Sequence, residues 1–290
     1  MADKTDPPNV DALMRWATRE LDDFPTPSLD ARVIAKCAFN LDDAGLIAEG
    51  DRIVDDTRAE RFRRMVARRA NAEPVAYIVG RREFWSLDIE TWRGVLVPRA
   101  DSETLVETAL ARRARAAPLR ILDLGCGSGA LLCALLSEFR EASGVGADIN
   151  PEAVALTGRN IANCDLADRA IAVESDWFEN ISGAFDIIVS NPPYIRTGDR
   201  ESLPREVAAY ESPLALFAGA DGLDAYRRIL AAAASHLEPD GLFVAEFGEG
   251  QAQSVKHMAR HAFHSAEIAI ESDLSGRPRA IAIDLRRRRN

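Results

Sequence analysis

The sequence ILDLGCGSG at residues 121–129 decides the fold that we expect for this chain. It predicts a buried strand that runs into a GxGxG turn and then into a helix. Glycines permit a tight turn and let the backbone approach a ligand closely. The amino terminus of the following helix favours an anionic group, either a carboxylate or a phosphate. The stretch therefore predicts a loop that holds a nucleotide or nucleoside cofactor, and by itself it does not say which one.

Positions after the next two predicted strands extend this cofactor site. Asp148 ends the second strand, where a carboxylate can accept hydrogen bonds from ribose hydroxyls. Asp176 and Trp177 follow the third strand. There the indole of Trp177 can stack on an adenine, and the carboxylate of Asp176 can accept from an exocyclic amine. The alternative for Trp177 is an ordinary surface anchor. The pattern fits a nucleoside cofactor, but it does not distinguish NAD from S-adenosylmethionine.

The sequence Asn191-Pro192-Pro193-Tyr194 directly follows an apolar run at residues 185–190, which is typical of a buried strand. The Asn191 side-chain oxygen and a nearby backbone carbonyl, that of Pro192, can accept two N–H bonds from a planar amide or amino group. The flat face of Tyr194 can stack on that group. A dehydrogenase has no use for such a clamp. The motif therefore favours methyl transfer to a nitrogen atom, and it fits adenine and glutamine equally well.

Residues before the glycine-rich loop read as a small helical bundle followed by a hairpin. Apolar residues near the start of the chain recur at steps of three and four, the period of an amphipathic helix. Residues 83–97 are rich in aromatic and aliphatic residues and predict short strands that form a β-hairpin. The predicted helices of the bundle span residues 10–21, 28–39, 42–48, 57–71 and 74–79.

Strand and helix signals alternate through the rest of the chain, which predicts an α/β domain with a mostly parallel sheet. The predicted strands span residues 120–124, 143–148, 170–174, 185–190, 241–247, 266–271 and 280–285. The predicted helices between them include residues 130–139, 151–163, 225–236 and 251–263.

Composition and charge limit the classes of function. The chain has 290 residues and a net charge of −10, which weakens any role that depends on non-specific neutralisation of nucleic-acid phosphates. No apolar stretch is long enough to span a bilayer, and the acidic, proline-containing residues 1–11 do not resemble a signal peptide. The four cysteines show no CxxC spacing. We expect reduced thiols and a cytoplasmic location.

Together these motifs resemble the bacterial release factor glutamine methyltransferases. That family methylates the side-chain amide of the glutamine in the GGQ motif of class-1 peptide-chain release factors. The resemblance covers nearly the whole chain. Besides the GxGxG loop and the NPPY motif, it includes PVAYIVG at 74–80, REFW at 82–85, LVPR at 96–99, SDWF at 175–178, ESPLAL at 211–216, GADGL at 219–223 and DLSGRPR at 273–279.

The resemblance implies a cofactor, a fold and a set of site residues. The cofactor would be S-adenosylmethionine, with its ribose on Asp148, its adenine region beside Trp177, and Asn191 touching both cofactor and substrate. Asn191, Pro192, Pro193 and Tyr194 would bind the glutamine amide, with Asn191, Pro192 and Tyr194 as the catalytic set. The methionine end of the cofactor would lie on Gly125, Cys126, Gly127, Ser128 and Gly129.

The implied fold is a Rossmann-like, seven-stranded S-adenosylmethionine methyltransferase domain preceded by a small helical bundle and a β-hairpin. We place the bundle at residues 1–82, where it would recognise the substrate protein. The hairpin linker would span residues 83–97, and the methyltransferase domain residues 98–290. The implied partners are class-1 release factors, with no membrane and no direct nucleic-acid substrate. We expect a monomer that needs no metal.

One departure from the family pattern follows the hairpin. Where the family usually reads PRPDTE, this chain reads PRADSE at residues 98–103, so Ala100 loosens a fixed turn and Ser102 keeps the hydroxyl. A sister group that methylates a ribosomal protein tends to read PRSPIAEL there, and Asp101 and Glu103 together with Thr104 favour the release-factor group. The alternatives are methylation of that ribosomal protein and N6-methylation of adenine after base flipping.

Three polar patterns remain outside this interpretation. His257, His261 and His264 are expected on one helix, where a solvated face is favoured over a metal site. Arg58, Arg61, Arg64 and Arg68 line one side of the fourth predicted helix. They form either a solvated face or a docking surface for an acidic protein or RNA. The basic tail at residues 286–289 is more often disordered than functional.

Overall fold

The computed structural model of the protein describes residues 8–286. Its helices are α1 (Val10–Glu20), α2 (Pro27–Phe39), α3 (Asp43–Ala48), α4 (Asp56–Ala70), α5 (Val75–Val79), α6 (Glu103–Arg112), α7 (Ala130–Glu138), α8 (Pro151–Asn163), α9 (Arg205–Tyr210), α10 (Pro213–Leu216), α11 (Asp224–Ala233) and α12 (Ala252–Ala262). Its strands are β1 (Arg81–Phe84), β2 (Leu87–Glu90), β3 (Arg120–Leu124), β4 (Ser143–Asp148), β5 (Ala170–Glu174), β6 (Phe185–Ser190), β7 (Leu237–Glu246), β8 (Glu267–Ser272) and β9 (Pro278–Asp284).

The chain divides into two compact units. The first contains Met1–Arg81 together with Pro204–Tyr210, and the second contains Arg82–Leu203 together with Glu211–Asn290. A short segment from the second half of the chain therefore joins the helical unit, which the sequence does not indicate. Helix α9 is this segment.

The first unit is a helical bundle packed around an aromatic centre. The ring of Phe62 is fully buried and lies 5.0 Å from the ring of Phe39, centroid to centroid. Helix α2 begins at Pro27, one residue before the predicted start, because proline fits the first turn of a helix. A buried ion pair joins Arg69 on α4 to Asp30 on α2 at 2.6 Å, and the same guanidinium also pairs with Glu206 on α9.

The second unit is built on a seven-stranded sheet with the order β5-β4-β3-β6-β7-β9-β8. Strands β3 to β7 pair in parallel, and β9 pairs antiparallel with both β7 and β8. The predicted Rossmann-like fold is therefore confirmed. Strand β3 is the switch point, because the chain adds β4 and β5 on one side of it and β6 and β7 on the other.

Helices cover both faces of this sheet. The apolar residues of β3 alternate between the two faces, as the strand period requires. Ile121 packs in the core beneath α6 and α7, whereas Leu122 and Leu124 pack in the core beneath α11 and α12. Burial on both faces explains why the central strands read as continuous apolar runs.

Two sequence predictions need correction. The hairpin is shorter than predicted: β2 ends at Glu90 and residues 91–99 form turns and extended chain instead of strands. The turn lies at Trp85 and Ser86, which both have left-handed φ angles of 53° and 59°. Helix α12 ends at Ala262, so His264 does not share a helix with His257 and His261.

Residues 287–289 of the basic tail lie outside the described part of the chain. Within residues 8–286, no helix combines the length and the apolar composition that crossing a bilayer requires.

Candidate functional site

A cavity of about 320 Å³ opens in the second unit, where the carboxyl ends of β3, β4 and β6 meet. In open α/β sheets, ligands bind in the crevice outside the carboxyl ends of the strands, at the point where the strand order reverses. Three parts of the cavity wall lie at the carboxyl ends of strands. The glycine-rich loop comes directly after β3, Asp148 is the last residue of β4, and Asn191 comes directly after β6. The fold thus brings together residues that lie far apart in the sequence.

The glycine-rich loop forms the floor of the cavity through its backbone. Gly125, Gly127 and Gly129 have φ angles of 70°, 57° and 77°, a region that side chains with a Cβ atom rarely adopt. The backbone N–H groups of Gly125 and Cys126 both donate to the carbonyl of Ala147, which anchors the turn to β4. Gly125, Cys126, Gly127 and Ser128 line the cavity.

Gly129 lies just outside the cavity lining and is the N-cap residue of α7. A Cβ atom at this position would lie 2.8 Å from the Thr157 methyl carbon on α8. The close approach of the two helices therefore requires glycine here. Burial raises the pKa of the Cys126 thiol well above its usual value, so this residue supplies packing and backbone and not a nucleophilic thiolate.

Asp148 presents a partly solvated carboxylate to the cavity. Its Oδ2 accepts from the backbone N–H of Gly127 and its Oδ1 from that of Asn150, both at 2.9 Å. Each carboxylate oxygen retains a second lone-pair site. Burial raises the pKa of Asp148, so further hydrogen-bond donors from a ligand would stabilise the ionised form. Two adjacent hydroxyl groups are the kind of donor that this position fits.

Trp177 forms the side wall. Its backbone is left-handed, with a φ angle of 54°, and the Ser175 hydroxyl holds this turn by donating to the Trp177 carbonyl at 2.9 Å. The indole ring lies beside the glycine-rich turn, since a Cβ atom on Gly125 would be 3.6 Å from it. Asp176 also lines the cavity, but its carboxylate is paired with Arg228 at 2.8 Å. That partner was not foreseen from the sequence.

The four residues of the NPPY motif divide between the cavity and the core. Asn191 and Pro193 line the cavity, whereas Pro192 is buried and Tyr194 lies outside the cavity lining. The Tyr194 hydroxyl donates to Glu246 at 3.0 Å. The backbone carbonyl of Tyr194 accepts from the side chain of Gln251 at 3.0 Å. The stacking of Tyr194 on a substrate amide stays a prediction.

Two consecutive side-chain hydrogen bonds hold the Asn191 side chain in place. The Asn191 Nδ2 donates to the Ser102 hydroxyl at 2.9 Å, and that hydroxyl donates to Oε2 of Glu246 at 2.5 Å. Glu246 is the last residue of β7 and is buried, which raises its pKa. Sequence reasoning missed Glu246. The available signal was a single carboxylate within the otherwise apolar run at residues 242–247.

Charged residues surround this side of the cavity. Arg99 lines the cavity and pairs with the buried carboxylate of Glu211. Arg279 pairs with Asp101 at 3.0 Å, next to Ser102 in the chain. The segment at residues 98–103, which the sequence marks as a departure from the family pattern, therefore contributes directly to the wall.

Comparisons with known proteins agree with this architecture. The family model described as the PrmC N-terminal domain matches residues 12–80, and the model described as the methyltransferase small domain matches residues 100–207. A release factor glutamine methyltransferase from Bradyrhizobium diazoefficiens is 41% identical over 88% of this chain and 86% of its own length. One from Rhodospirillum rubrum is 41% identical over 88% of this chain and 78% of its own length.

A solved structure of a methyltransferase from Pyrococcus furiosus is similar in fold. It superimposes with a TM-score of 0.52 at 17% sequence identity, covering 78% of this chain and 98% of that one. At this level of identity the likeness shows the methyltransferase fold alone.

Proposed function

The chain belongs to the family of release factor glutamine methyltransferases, and on that premise we propose that it N5-methylates the glutamine side chain in the GGQ motif of class-1 peptide-chain release factors. One observation carries the proposal. Asn191 lines the cavity beside the glycine-rich loop, and its Nδ2 is already bound to Ser102. Its side-chain oxygen is thereby left as an acceptor for the N–H group of a planar amide.

The methyl donor that fits the cavity is S-adenosylmethionine. Asp148 has spare acceptor sites for two ribose hydroxyls, and Trp177 offers a flat apolar face for an adenine ring. The loop from Gly125 to Gly129 would hold the methionine end, at the amino terminus of α7, where a carboxylate is favoured. When bound, this cofactor supplies a methyl group that its sulfonium centre already activates.

The main task left to the protein is to position the amide nitrogen in line with that methyl group. The side-chain oxygen of Asn191 and the carbonyl of Pro192 would accept the two amide N–H bonds and resist rotation of the group. Positive charge develops on nitrogen as the new bond forms, and the same two acceptors stabilise it electrostatically. The amide proton becomes acidic only after attack, so the reaction requires no strong general base.

Recognition of the protein substrate would come from outside the cavity. A single glutamine side chain is too small to identify a release factor. We therefore assign this recognition to the helical bundle at residues 1–82, with the protein acting as a monomer. The arginines on the exposed side of α4 are candidates for contacts with the partner, although Arg58 and Arg68 are paired with Asp55 and Glu73.

Methyl transfer from labelled cofactor tests the proposal. The purified protein is incubated with labelled S-adenosylmethionine and, separately, with a class-1 release factor, a large-subunit ribosomal protein and a nucleic acid. Mass spectrometry then locates the added methyl group. We expect label on the glutamine of the GGQ motif. Label in adenine, or on a glutamine of the ribosomal protein, with none in the release factor, would overturn the proposal.

A further inference from the structure

We propose that Ser102 and Glu246 are positioning residues that fix the orientation of the Asn191 amide, so that its oxygen, and not its nitrogen, faces the substrate. This inference rests on the proposed function. It concerns two side chains that lie 144 positions apart in the sequence and meet through one hydrogen bond.

The direction of each hydrogen bond follows from counting protons. Glu246 is 1% exposed and Ser102 is 3% exposed, so both depend on protein partners. In its ionised form the carboxylate of Glu246 can only accept, and it takes one O–H bond from Ser102 and one from Tyr194. A serine hydroxyl has a single proton. Having donated it to Glu246, Ser102 can only accept from Asn191.

This one-way arrangement selects between the two orientations of the Asn191 amide. In the observed orientation, Nδ2 donates to the Ser102 oxygen at 2.9 Å. In the reversed orientation, the Asn191 oxygen would face the lone pairs of Ser102, and a buried hydrogen bond would be lost. The reversed amide would also present N–H donors to the N–H donors of the substrate glutamine. Glu246 therefore acts on the substrate through two intervening side chains.

Other groups hold Glu246 in place from several elements. Tyr194 contacts its side chain from the segment after β6, and the Tyr226 hydroxyl on α11 donates to its backbone carbonyl. Arg279 in β9 favours the ionised form, and Asp101, which pairs with Arg279, opposes it. Burial is the largest influence and raises the pKa of Glu246.

Protonation of Glu246 removes the directional constraint. A neutral carboxyl can donate its own proton to Ser102, and the serine proton is then free to point at Asn191 and favour the reversed amide. Because the ionised form is the working form, turnover should be lost as the pH falls through the pKa of Glu246. This pH dependence of turnover should disappear when the Ser102 hydroxyl, which links Glu246 to Asn191, is removed.

Variants of Ser102 separate a positioning role from a structural one. At saturating cofactor, Ser102→Ala should lower kcat on release factor about tenfold, the equivalent of one lost hydrogen bond. Ser102→Thr, which keeps the hydroxyl, should stay within about twofold of the wild type. KM for the cofactor and affinity for S-adenosylhomocysteine should change little. Ser235→Ala, at an exposed serine, serves as the matched control.

Two measurements, the pH profile of kcat and a double-mutant cycle, would show the following changes only if Ser102 acts through Asn191. Wild-type kcat should fall on the acid side, and this acid limb should be absent in Ser102→Ala. In a double-mutant cycle, Ser102→Ala should cause no further loss on the Asn191→Ala background. Since Ser102→Ala removes a partner from a buried carboxylate, Ser102→Ala combined with Glu246→Gln provides a second, charge-free variant, and it should show the same loss.

The outcomes distinguish this inference from the proposed function. If the wild type methylates release factor but Ser102→Ala matches it in kcat and in pH profile, the positioning role is wrong and the function stands. Full additivity in the double-mutant cycle has the same meaning. If the wild type transfers no methyl group to release factor, both proposals fail.

Discussion

The two halves of the cavity are built by different means. The cofactor half is built on the backbone of one short loop, in which glycines at 125, 127 and 129 hold left-handed angles, and the side chains of Asp148 and Trp177 complete it. The substrate half uses side chains from three separate segments, with Asn191 held by Ser102 and Ser102 held by Glu246. The conformation of the glycine-rich loop is determined by its own local sequence. The side-chain network forms only once the sheet has brought its distant segments together.

The buried carboxylates beneath the two halves show the same contrast. Asp123, on β3 below the cofactor loop, accepts at Oδ2 from the Leu132 backbone at 3.3 Å. Its Oδ1 has no hydrogen-bond partner among residues 8–286, and burial raises the pKa of Asp123 to about 7. Glu246 has a partner on each side-chain oxygen. Ionisation of Asp123 is costly because one of its buried oxygens has no partner in the described part of the chain. Both oxygens of Glu246 are satisfied by a hydrogen-bond network.

The largest effect should come from the pH dependence of stability at Asp123. Its carboxyl stays protonated in the native state up to a pH of about 7, against a usual pKa of 3.8. The native state therefore binds more protons than the unfolded state in this window, and stability falls as pH rises through it. Relative to Asp123→Asn, the wild type should lose roughly 4 kcal/mol of unfolding free energy between pH 4 and 8.5. A difference that stays constant with pH in denaturant titrations would refute this account.

The next effect tests the substrate half at its centre. Asn191→Ala removes one of the two acceptors for the amide, so kcat on release factor should fall about 100- to 1,000-fold, or roughly 2.7–4 kcal/mol. Steady-state assays at saturating cofactor measure this loss. Asn163→Ala, on the exposed end of α8, is the matched control and should leave kcat unchanged. Near-normal turnover in Asn191→Ala would remove this residue from the mechanism.

A smaller effect should separate the cofactor half from the substrate half. Asp148→Asn weakens the acceptor for the ribose hydroxyls, so affinity for S-adenosylhomocysteine should fall by about tenfold or more, as for loss of a charged hydrogen bond. Once cofactor is saturating, kcat should return close to the wild-type value. Glu174→Gln is the control, because Glu174 pairs in register with Asp148 at the end of the neighbouring strand but is exposed. Unchanged affinity in calorimetry would argue against the ribose assignment.

The smallest effect tests the backbone requirement of the loop. Gly129→Ala places a Cβ atom at a φ angle of 77° and 2.8 Å from the Thr157 methyl carbon. It should cost about 1–2 kcal/mol for the left-handed conformation alone. Gly158→Ala, on the open face of α8, has nothing within 4 Å of its added methyl group. It should stabilise the protein by up to about 1 kcal/mol. Equal unfolding free energies for the two variants would contradict the backbone requirement.

The same contrast explains what the sequence could predict. The strand, glycine turn and helix at residues 121–138 follow from local pattern, and so does the position of Asn191 after a buried strand. The alternation of strands and helices predicts a mostly parallel sheet, but it predicts neither the order of the strands nor the antiparallel pairing of β9. The contacts of Ser102 do not follow from local pattern either, because they join positions 89 and 144 residues apart. Strands β6 and β7 must lie side by side before Asn191 and Glu246 can share one hydroxyl.

Local pattern also misled in specific places. The apolar residues at 92–97 have the composition of a strand, but Val95 and Val97 are buried against other elements without pairing in a sheet. Helix α9 joins the first unit through the hydrogen bond of Tyr210 to the Asn71 carbonyl and the ion pair of Glu206 with Arg69. Both features depend on tertiary contacts that no short-range periodicity records.

The most direct test of the central claim uses one enzyme preparation and two forms of the substrate. A class-1 release factor, intact or with the glutamine of its GGQ motif replaced by asparagine, is incubated with the protein and labelled S-adenosylmethionine. Fragmentation mass spectrometry then locates the methyl group. The account predicts methylation of the side-chain nitrogen in the intact factor and no label in the replaced one. Equal labelling of both forms, or a methyl group elsewhere in the factor, would contradict it.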